Sequence, residues 1–336
     1  MNSTFSTSLL RWFALHGRDL PWRDTNDAYA IWLSEIILQQ TRVEQGRAYW
    51  ERFMVRFPDV ASLAAASEDE VLRLWQGLGY YSRARNLHTA AQQIVKLGHF
   101  PCTYDGIRAL KGVGDYTAAA VGSFAFGLPV AAVDGNVYRV LARYFGIDTP
   151  INTAEGKRVF ADLASELLPP KEAGTFNQAM MDFGATQCLP KGARCDGCPL
   201  AETCVARCEG RVADLPVKLK KTKIQQRRLV YIYIRCNGET AIHRRGAGDI
   251  WQGLWEPVAV ENGEWCMENG TWGMNGAVLV AKDVKHVLTH RILLADFFLL
   301  ELTAKPALPD GYIWIPESAL DDYAKPRLIE RFLELL

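Results

Sequence analysis

Four cysteines fall in one short stretch, Cys188, Cys195, Cys198 and Cys204, with six, two and five residues between them. Nothing else in the chain limits the fold as tightly. Four thiolates on one short loop can wrap a single compact metal centre, and Pro199 follows the third. Structural zinc sites more often use two CxxC pairs, and here only Cys195 and Cys198 form one. Iron–sulfur clusters accept four cysteines at uneven spacing, so the spacing favours iron–sulfur over zinc. Unligated buried thiols are the third reading. The other four cysteines, Cys102, Cys208, Cys236 and Cys266, fit no ligand set and read as small packing residues.

A chain of 336 residues is long enough for about two domains, each with its own core. No apolar run reaches the roughly 18 residues that cross a bilayer. The start, Met1 to Leu10, lacks the order of a signal peptide, so a cytoplasmic protein with no membrane partner is expected. Eight cysteines in such a chain point to ligation or free thiols rather than a disulfide framework. Lysine plus arginine (38) balances aspartate plus glutamate (38), which on its face speaks against a nucleic-acid partner. The balance is local, though. Seven basic residues between Arg211 and Arg228 face only Asp214, and phosphate binding depends on local charge.

From about Leu9 to Cys208 the apolar spacing is helical. Helices are expected over Tyr29–Arg42, Glu68–Gln76, Ser82–Leu97, Gly114–Phe126, Asn136–Phe145 and Thr175–Cys188, between glycine or proline breaks. The period then changes. Leu229–Arg235 and Glu239–Arg244 read as a hairpin around Asn237-Gly238. More strands are expected at Ala277–Ala281, Lys285–Leu288, Leu293–Leu300 and Tyr312–Ile315, with a closing helix over Lys325–Leu336. The fold class is therefore multi-domain: an all-α domain (1–210), a basic linker (211–228) and a smaller α+β domain (229–336).

Two carboxylates stand out. Glu35 lies in IWLSEIILQQT, with Ile31 and Leu38 on the same helical face. A carboxylate there is costly unless it has a partner or stays protonated. Asp134 opens the helix after VAAV, where an N-cap is its simplest explanation. A carboxylic acid of raised pKa beside an ionised carboxylate is the usual pair for breaking a glycosidic bond. In LKGVGDYTA, Gly112 and Gly114 flank Val113 just before an alanine-rich helix. Such a turn can offer backbone N–H groups to a phosphate, or be only a tight helix–helix turn.

Taken together, LPWR (from Leu20), SEIILQQTRV (Ser34), GLGYYSRARNLH (Gly77), LKGVGDYTA (Leu110), VDGNV (Val133), FNQAMMDFGA (Phe176) and the cysteine set resemble the helix-hairpin-helix DNA glycosylases. Within them the adenine-removing branch is the nearest. The resemblance spans nearly the whole chain, and seven motifs in order make it specific. It implies a [4Fe–4S] cluster on the four cysteines, with Glu35 as the acid that protonates adenine and later activates water. Asp134 would stabilise the deoxyribosyl cation, with Tyr116 and Asn136 supporting the sugar and Asp134. Arg18, Trp22, Arg23 and Gln178 would line the adenine pocket. Gln40, Thr41 and Tyr80 would enter the base stack, and Gly112, Val113 and Gly114 would meet the DNA backbone. Endonuclease III-like relatives carry a catalytic lysine where this chain has Tyr116, so a monofunctional glycosylase with little lyase activity is implied.

The last third resembles a MutT-like (Nudix-like) domain that recognises 8-oxoguanine, through DIWQGLWEPV and HVLTHR, with Thr289 and His290 at the contacting positions. Its glutamates are scattered, so nucleotide hydrolysis is not expected. The implied partner is duplex DNA with adenine opposite 8-oxoguanine or guanine, met by a monomer at the nucleoid of a bacterial cell. The rival readings are an endonuclease III-like or mismatch thymine glycosylase, and a non-catalytic iron–sulfur protein that binds DNA.

Overall fold

The computed structural model describes residues 2–219, 224–261, 276–288 and 291–336. In chain order its helices are α1 (Asn2–His16), α2 (Ala28–Leu38), α3 (Val43–Arg56), α4 (Val60–Ala65), α5 (Glu68–Trp75), α6 (Ser82–Leu97), α7 (Tyr104–Arg108), α8 (Asp115–Phe126), α9 (Gly135–Phe145), α10 (Ala154–Leu167), α11 (Ala173–Asp182) and α12 (Val205–Cys208), with α13 (Arg327–Leu333) near the end. By contact the chain divides into two units. One is Met1–Ala65 with Asn86–Lys220; the other is Ala66–Arg85 with Lys221–Leu336. No described helix is long and apolar enough to cross a membrane.

The first unit is helical. In α2 every residue from Ala28 to Ile37 is buried, as its all-round apolar sequence dictates, and Asp27 caps it by accepting from the Tyr29 N–H. The helix stops at Leu38, short of the expected Arg42, because Gln40 takes a left-handed φ of 58°. α8 presents the small face Ala118–Val121, which lets it pack closely on α2 and α11. The expected helix over Thr175–Cys188 is α11 followed by a π-helical turn, Phe183–Gln187, that delivers the chain to Cys188. Not all of the basic stretch is free linker. Leu215 is 2% exposed, Val212 and Val217 pack on the helical core, and the Ile151 N–H donates to the Val217 carbonyl at 3.0 Å. Burying one such leucine is worth about 2 kcal/mol.

The second unit is built on a mixed sheet with strands β1 (Gln225–Cys236), β2 (Glu239–Arg244), β3 (Trp255–Glu256), β4 (Val258–Glu261), β5 (Val278–Val287), β6 (Arg291–Leu302) and β7 (Tyr312–Pro316). The order is β3-β2-β1-β6-β5, with β4 on β1 and β7 on β2; β1 and β6 run parallel and the other pairs antiparallel. β1 is covered on both faces, which explains its unbroken apolar run. Leu229, Tyr231 and Tyr233 meet Phe297 and α13, while Ile232 and Ile234 meet Leu300. Asn237 and Gly238, both at positive φ, close the β1–β2 hairpin as expected. The two strands expected between Ala277 and Leu288 are one strand, β5, carried through register shifts near Asp283, whose φ is 52°.

Residues 66–85, expected inside the helical domain, group by contact with the sheet unit. Arg73 pairs with Asp322 at 3.0 Å, the Lys325 N–H donates to Gln76 Oε1 at 3.0 Å, and Arg85 donates to the Gln252 carbonyl at 2.6 Å.

Candidate active site and cysteine cluster

Glu35 sits in the C-terminal half of α2 with 7% of its surface exposed. Burial lifts its carboxyl from 4.5 to about 7; the Tyr116 hydrogen bond and the charge of Arg23 oppose the shift, and the charge of Asp134 adds to it. The Tyr116 hydroxyl donates to Glu35 Oε2 at 2.8 Å from the first turn of α8. Asp134 does cap α9. Its Oδ1 accepts from the N–H groups of Asn136 (2.9 Å) and Val137 (2.8 Å), and its Oδ2 accepts from Asn136 Nδ2 at 2.7 Å. Burial raises Asp134 above 3.8, while these N–H groups and the charge of Arg139 favour its ionised form. Capping and chemistry are thus compatible in one side chain.

Glu35, Asp134, Tyr116 and Asn136 all line one cavity of about 320 Å³, within the range of ~300–1,000 Å³ usual for small-molecule sites. Arg18, Trp22, Arg23 and Gln178 line it too, as does Thr41. Asn136 supports Asp134 as expected, but the Tyr116 hydroxyl goes to Glu35.

The sequence reading missed Asp182. It is fully buried, and Arg18 and Arg23 both grip it, with Arg18 Nη2 at 2.5 Å and Arg23 Nη2 at 2.7 Å from Oδ1. Burial works to raise its pKa, yet hydrogen bonds from Arg23 and Arg18 outweigh that and hold it below 3.8. It fixes both guanidiniums at the cavity wall. The signal was available, since Asp182 is an acid inside the apolar run AMMDFGA, as Glu35 is in its own. Also missed was Arg139, which donates to Asn136 Oδ1 (2.8 Å), the Gly184 carbonyl (2.6 Å) and the Cys188 carbonyl (2.8 Å).

At the hairpin turn Gly112 has φ 76°, and a Cβ there would meet the Asn86 side chain at 2.6 Å. Gly114 is extended and N-caps α8. Val113 is 4% exposed and its N–H donates to the Leu110 carbonyl, so it braces the turn from inside; the exposed backbone belongs to Gly112 and Gly114. Gln40, at φ 58°, follows the end of α2. In the other unit Tyr80 is 48% exposed at φ 48°. The Arg83 guanidinium lies 5.7 Å from the Tyr80 ring and 5.0 Å from that of Trp75, and it donates to the carbonyls of Leu78 and Gly79. Thr289, His290 and Cys266 lie outside the described residues.

All four cysteines of the set line one cavity with Arg143 and Arg207, while Cys208 is exposed and lies outside that lining. Arg143 Nη1 donates to Cys188 Sγ at 3.3 Å. Burial pushes the Cys198 thiol up to about 11, so a centre taking it as thiolate has to supply positive charge. Among the described residues no three His, Cys, Asp or Glu side chains close on a single ion. A tetrahedral zinc draws its sulfurs to about 3.8 Å from one another. Four thiols lining one cavity are donors that a metal centre could take as thiolates.

In the sheet unit Asp249 takes Arg227, Arg245 and Arg291, and the Arg227 hydrogen bond leads in holding it well below 3.8. Glu256, 1% exposed, takes Arg245 at 2.5 Å and the Tyr231 hydroxyl at 2.9 Å. Both acids are engaged by arginine. Trp251 packs edge-on against His286 and Trp255 against Tyr323.

Residues 33–166 match the family described as HhH-GPD superfamily base excision DNA repair protein, and residues 230–335 match the NUDIX domain. The chain is similar to the adenine DNA glycosylase of Buchnera aphidicola subsp. Acyrthosiphon pisum, 36% identical over 74% of this chain and 72% of that one. It is likewise similar to the adenine DNA glycosylases of Schizosaccharomyces pombe (33%, covering 94% and 86%) and Homo sapiens (44%, covering 61% and 40%). Among solved structures it resembles a thermostable thymine-DNA glycosylase, with a TM-score of 0.58 and 30% identity over 62% of this chain and 97% of that one. A non-covalent endonuclease III–DNA complex matches with a TM-score of 0.54 at 21% identity, over 62% and 98%, a likeness of fold.

Proposed function

Because this chain belongs to the adenine DNA glycosylase family of base-excision repair enzymes, we propose that it hydrolyses the N-glycosidic bond of adenine mispaired with 8-oxoguanine or guanine in duplex DNA and leaves the strand intact. One observation carries the reading. Glu35, with its pKa lifted to about 7, shares one cavity with an Asp134 whose charge three hydrogen bonds favour.

The flipped nucleotide enters that cavity, at a cost of a few kcal/mol in lost stacking. Protonated Glu35 gives its proton to a ring nitrogen of adenine, so the base leaves neutral as the C–N bond breaks. The sugar becomes oxocarbenium-like, and ionised Asp134 stabilises it or bonds to it transiently. Water then adds to the anomeric carbon and its proton returns to Glu35. Tyr116 holds the Glu35 carboxyl through its hydroxyl, and Asn136 holds Asp134. Arg18 and Arg23, set by Asp182, and Trp22 and Gln178 recognise the base edge and face.

A monofunctional reaction follows from position 116. Burial pushes the Tyr116 hydroxyl well above 10, so no amine or phenolate is available there to attack the sugar and open the strand. The four cysteines fit a [4Fe–4S] cluster, which when bound would draw their loop into one body and present Lys191 and Arg194 to phosphate. Gly112 and Gly114 would meet the backbone, while Gln40, Thr41 and Tyr80 would fill the gap in the stack. Thr289 and His290 would read 8-oxoguanine.

The test is to incubate the protein with duplexes carrying adenine opposite 8-oxoguanine, adenine opposite thymine, or thymine opposite guanine, then cleave abasic sites with alkali. Scission is expected in the first duplex alone, and only after alkali. Release of thymine instead would transfer the assignment to the mismatch thymine glycosylases.

A further inference from the structure

Beside the catalytic cavity lies a second, polar one of about 340 Å³, whose own walls include Thr25, Asn26, Lys171, Glu172 and Thr175. The two cavities share Trp22, Arg23, Ile31, Phe124 and Gln178, side chains that stand between them. Glu35, Asp134, Tyr116 and Thr41 line the first cavity and not the second. The second therefore lies across the partition from the chemistry.

The parts of that partition differ in freedom. Trp22 and Ile31 are 6% and 2% exposed, and Arg23 is held by buried Asp182. Phe124, near the end of α8, and Gln178, on α11, are half-buried and reach both cavities. A half-buried side chain has more rotamer freedom than one packed in a core, which moves only with its neighbours.

On the glycosylase reading a flipped nucleotide would fill the catalytic cavity from the DNA side, and the duplex would cover the opening. After cleavage the free base would then need another path while the abasic strand stays bound. We propose that the polar cavity receives the excised purine base and passes it to solvent, with Phe124 and Gln178 as the movable part of the partition. The inference rests on the glycosylase reading above. The second cavity suits this ligand class, because its amide, hydroxyl and charged groups can satisfy the amino group and ring nitrogens of a free purine.

Two exposed positions on the outer walls allow a test, Thr175→Trp and Asn26→Trp. Each would fill the polar cavity without touching the catalytic one. A duplex with radiolabelled adenine opposite 8-oxoguanine is cut in a single turnover. Cleavage is read by alkaline scission, and free base by rapid ultrafiltration that retains protein and DNA. Cleavage should stay within ~2-fold of the parent, while appearance of free adenine slows at least ~10-fold and falls into step with dissociation of the abasic duplex. Phe124→Ala, which thins the partition, should raise the ratio of release rate to cleavage rate. An unchanged ratio in all three variants refutes the route, even if one of them folds poorly. Absence of adenine cleavage by the parent protein would sink the glycosylase reading and this inference with it.

Discussion

Replacing Glu35 by glutamine should weaken the enzyme and strengthen the fold, and both effects should depend on pH. The Glu35 carboxyl has a pKa of about 7 when folded, against 4.5 when exposed. A raised carboxyl pKa means that the folded state prefers the neutral form. Its stabilising preference is complete below pH 4.5 and is lost as pH rises through about 7. At 1.36 kcal/mol for each pH unit between the two values, the charged form costs about 3 kcal/mol in full. Glutamine keeps the shape and cannot ionise. The stability difference, Glu35→Gln minus parent, should therefore grow by about 2 to 3 kcal/mol between pH 5 and pH 8 in urea unfolding. Over the same range the parent should lose single-turnover cleavage as Glu35 deprotonates, falling near tenfold per pH unit above 7, and Glu35→Gln should be slower by ~10²–10⁴ throughout. A stability difference flat across pH 5–8 would show that Glu35 is charged or solvated in the fold. Cleavage still rising at pH 8.5 would show that its proton is not the one donated.

Three further outcomes follow from the geometry. Cys198→Ser should abolish the visible iron–sulfur absorbance of protein purified without oxygen and weaken duplex binding, while Cys208→Ser should leave both unchanged; the reverse pattern would reassign the ligands. Tyr116→Lys should create a borohydride-trappable adduct with the abasic strand and nick it, because it places an amine where the phenol stood; base release without any adduct would mean that position 116 does not face the anomeric carbon. Arg139→Lys keeps the charge but loses the planar fork, and should slow cleavage by ~10–100-fold with duplex affinity nearly unchanged, as read by single-turnover rates beside fluorescence anisotropy.

The sequence made the residues of the candidate site more legible than the connections between its parts. Glu35 could be found because a carboxylate on an apolar helical face has few innocent explanations. Asp134 could be found because the turn it opens follows an apolar strand-like run. Asp182 obeyed the same rule and was hidden only by the motif around it. Arg139 was invisible in principle, since its partners lie up to 49 residues away and no local pattern encodes a side chain that bonds to distant carbonyls. β3 and β4 are too short to show a period. The expected strands stopped at Ala281 and resumed at Lys285, where the chain bulges and continues as β5. The amphipathic pattern of α5 identified a buried face, but not that it would be covered by the sheet unit.

Arg139 also bears on why a cysteine loop belongs to a hydrolytic enzyme. An asparagine amide can turn either end toward a carboxylate, and only its NH₂ end is favourable there. Asn136 Oδ1 is taken by Arg139, so its Nδ2 is the end left to face Asp134. Arg139 is in turn oriented by the carbonyls of Gly184, in the π-helical turn, and of Cys188, the first cysteine of the set. If the loop around the cysteines loosens, Arg139 loses two of its acceptors and the Asn136 amide is free to rotate. Two oxygens could then meet at Asp134, and one of the hydrogen bonds that favour its charge would be lost. The cysteines need not touch substrate to matter to the reaction. A centre held by the four cysteines would fix the loop that aims one guanidinium, which orients the amide that donates to Asp134.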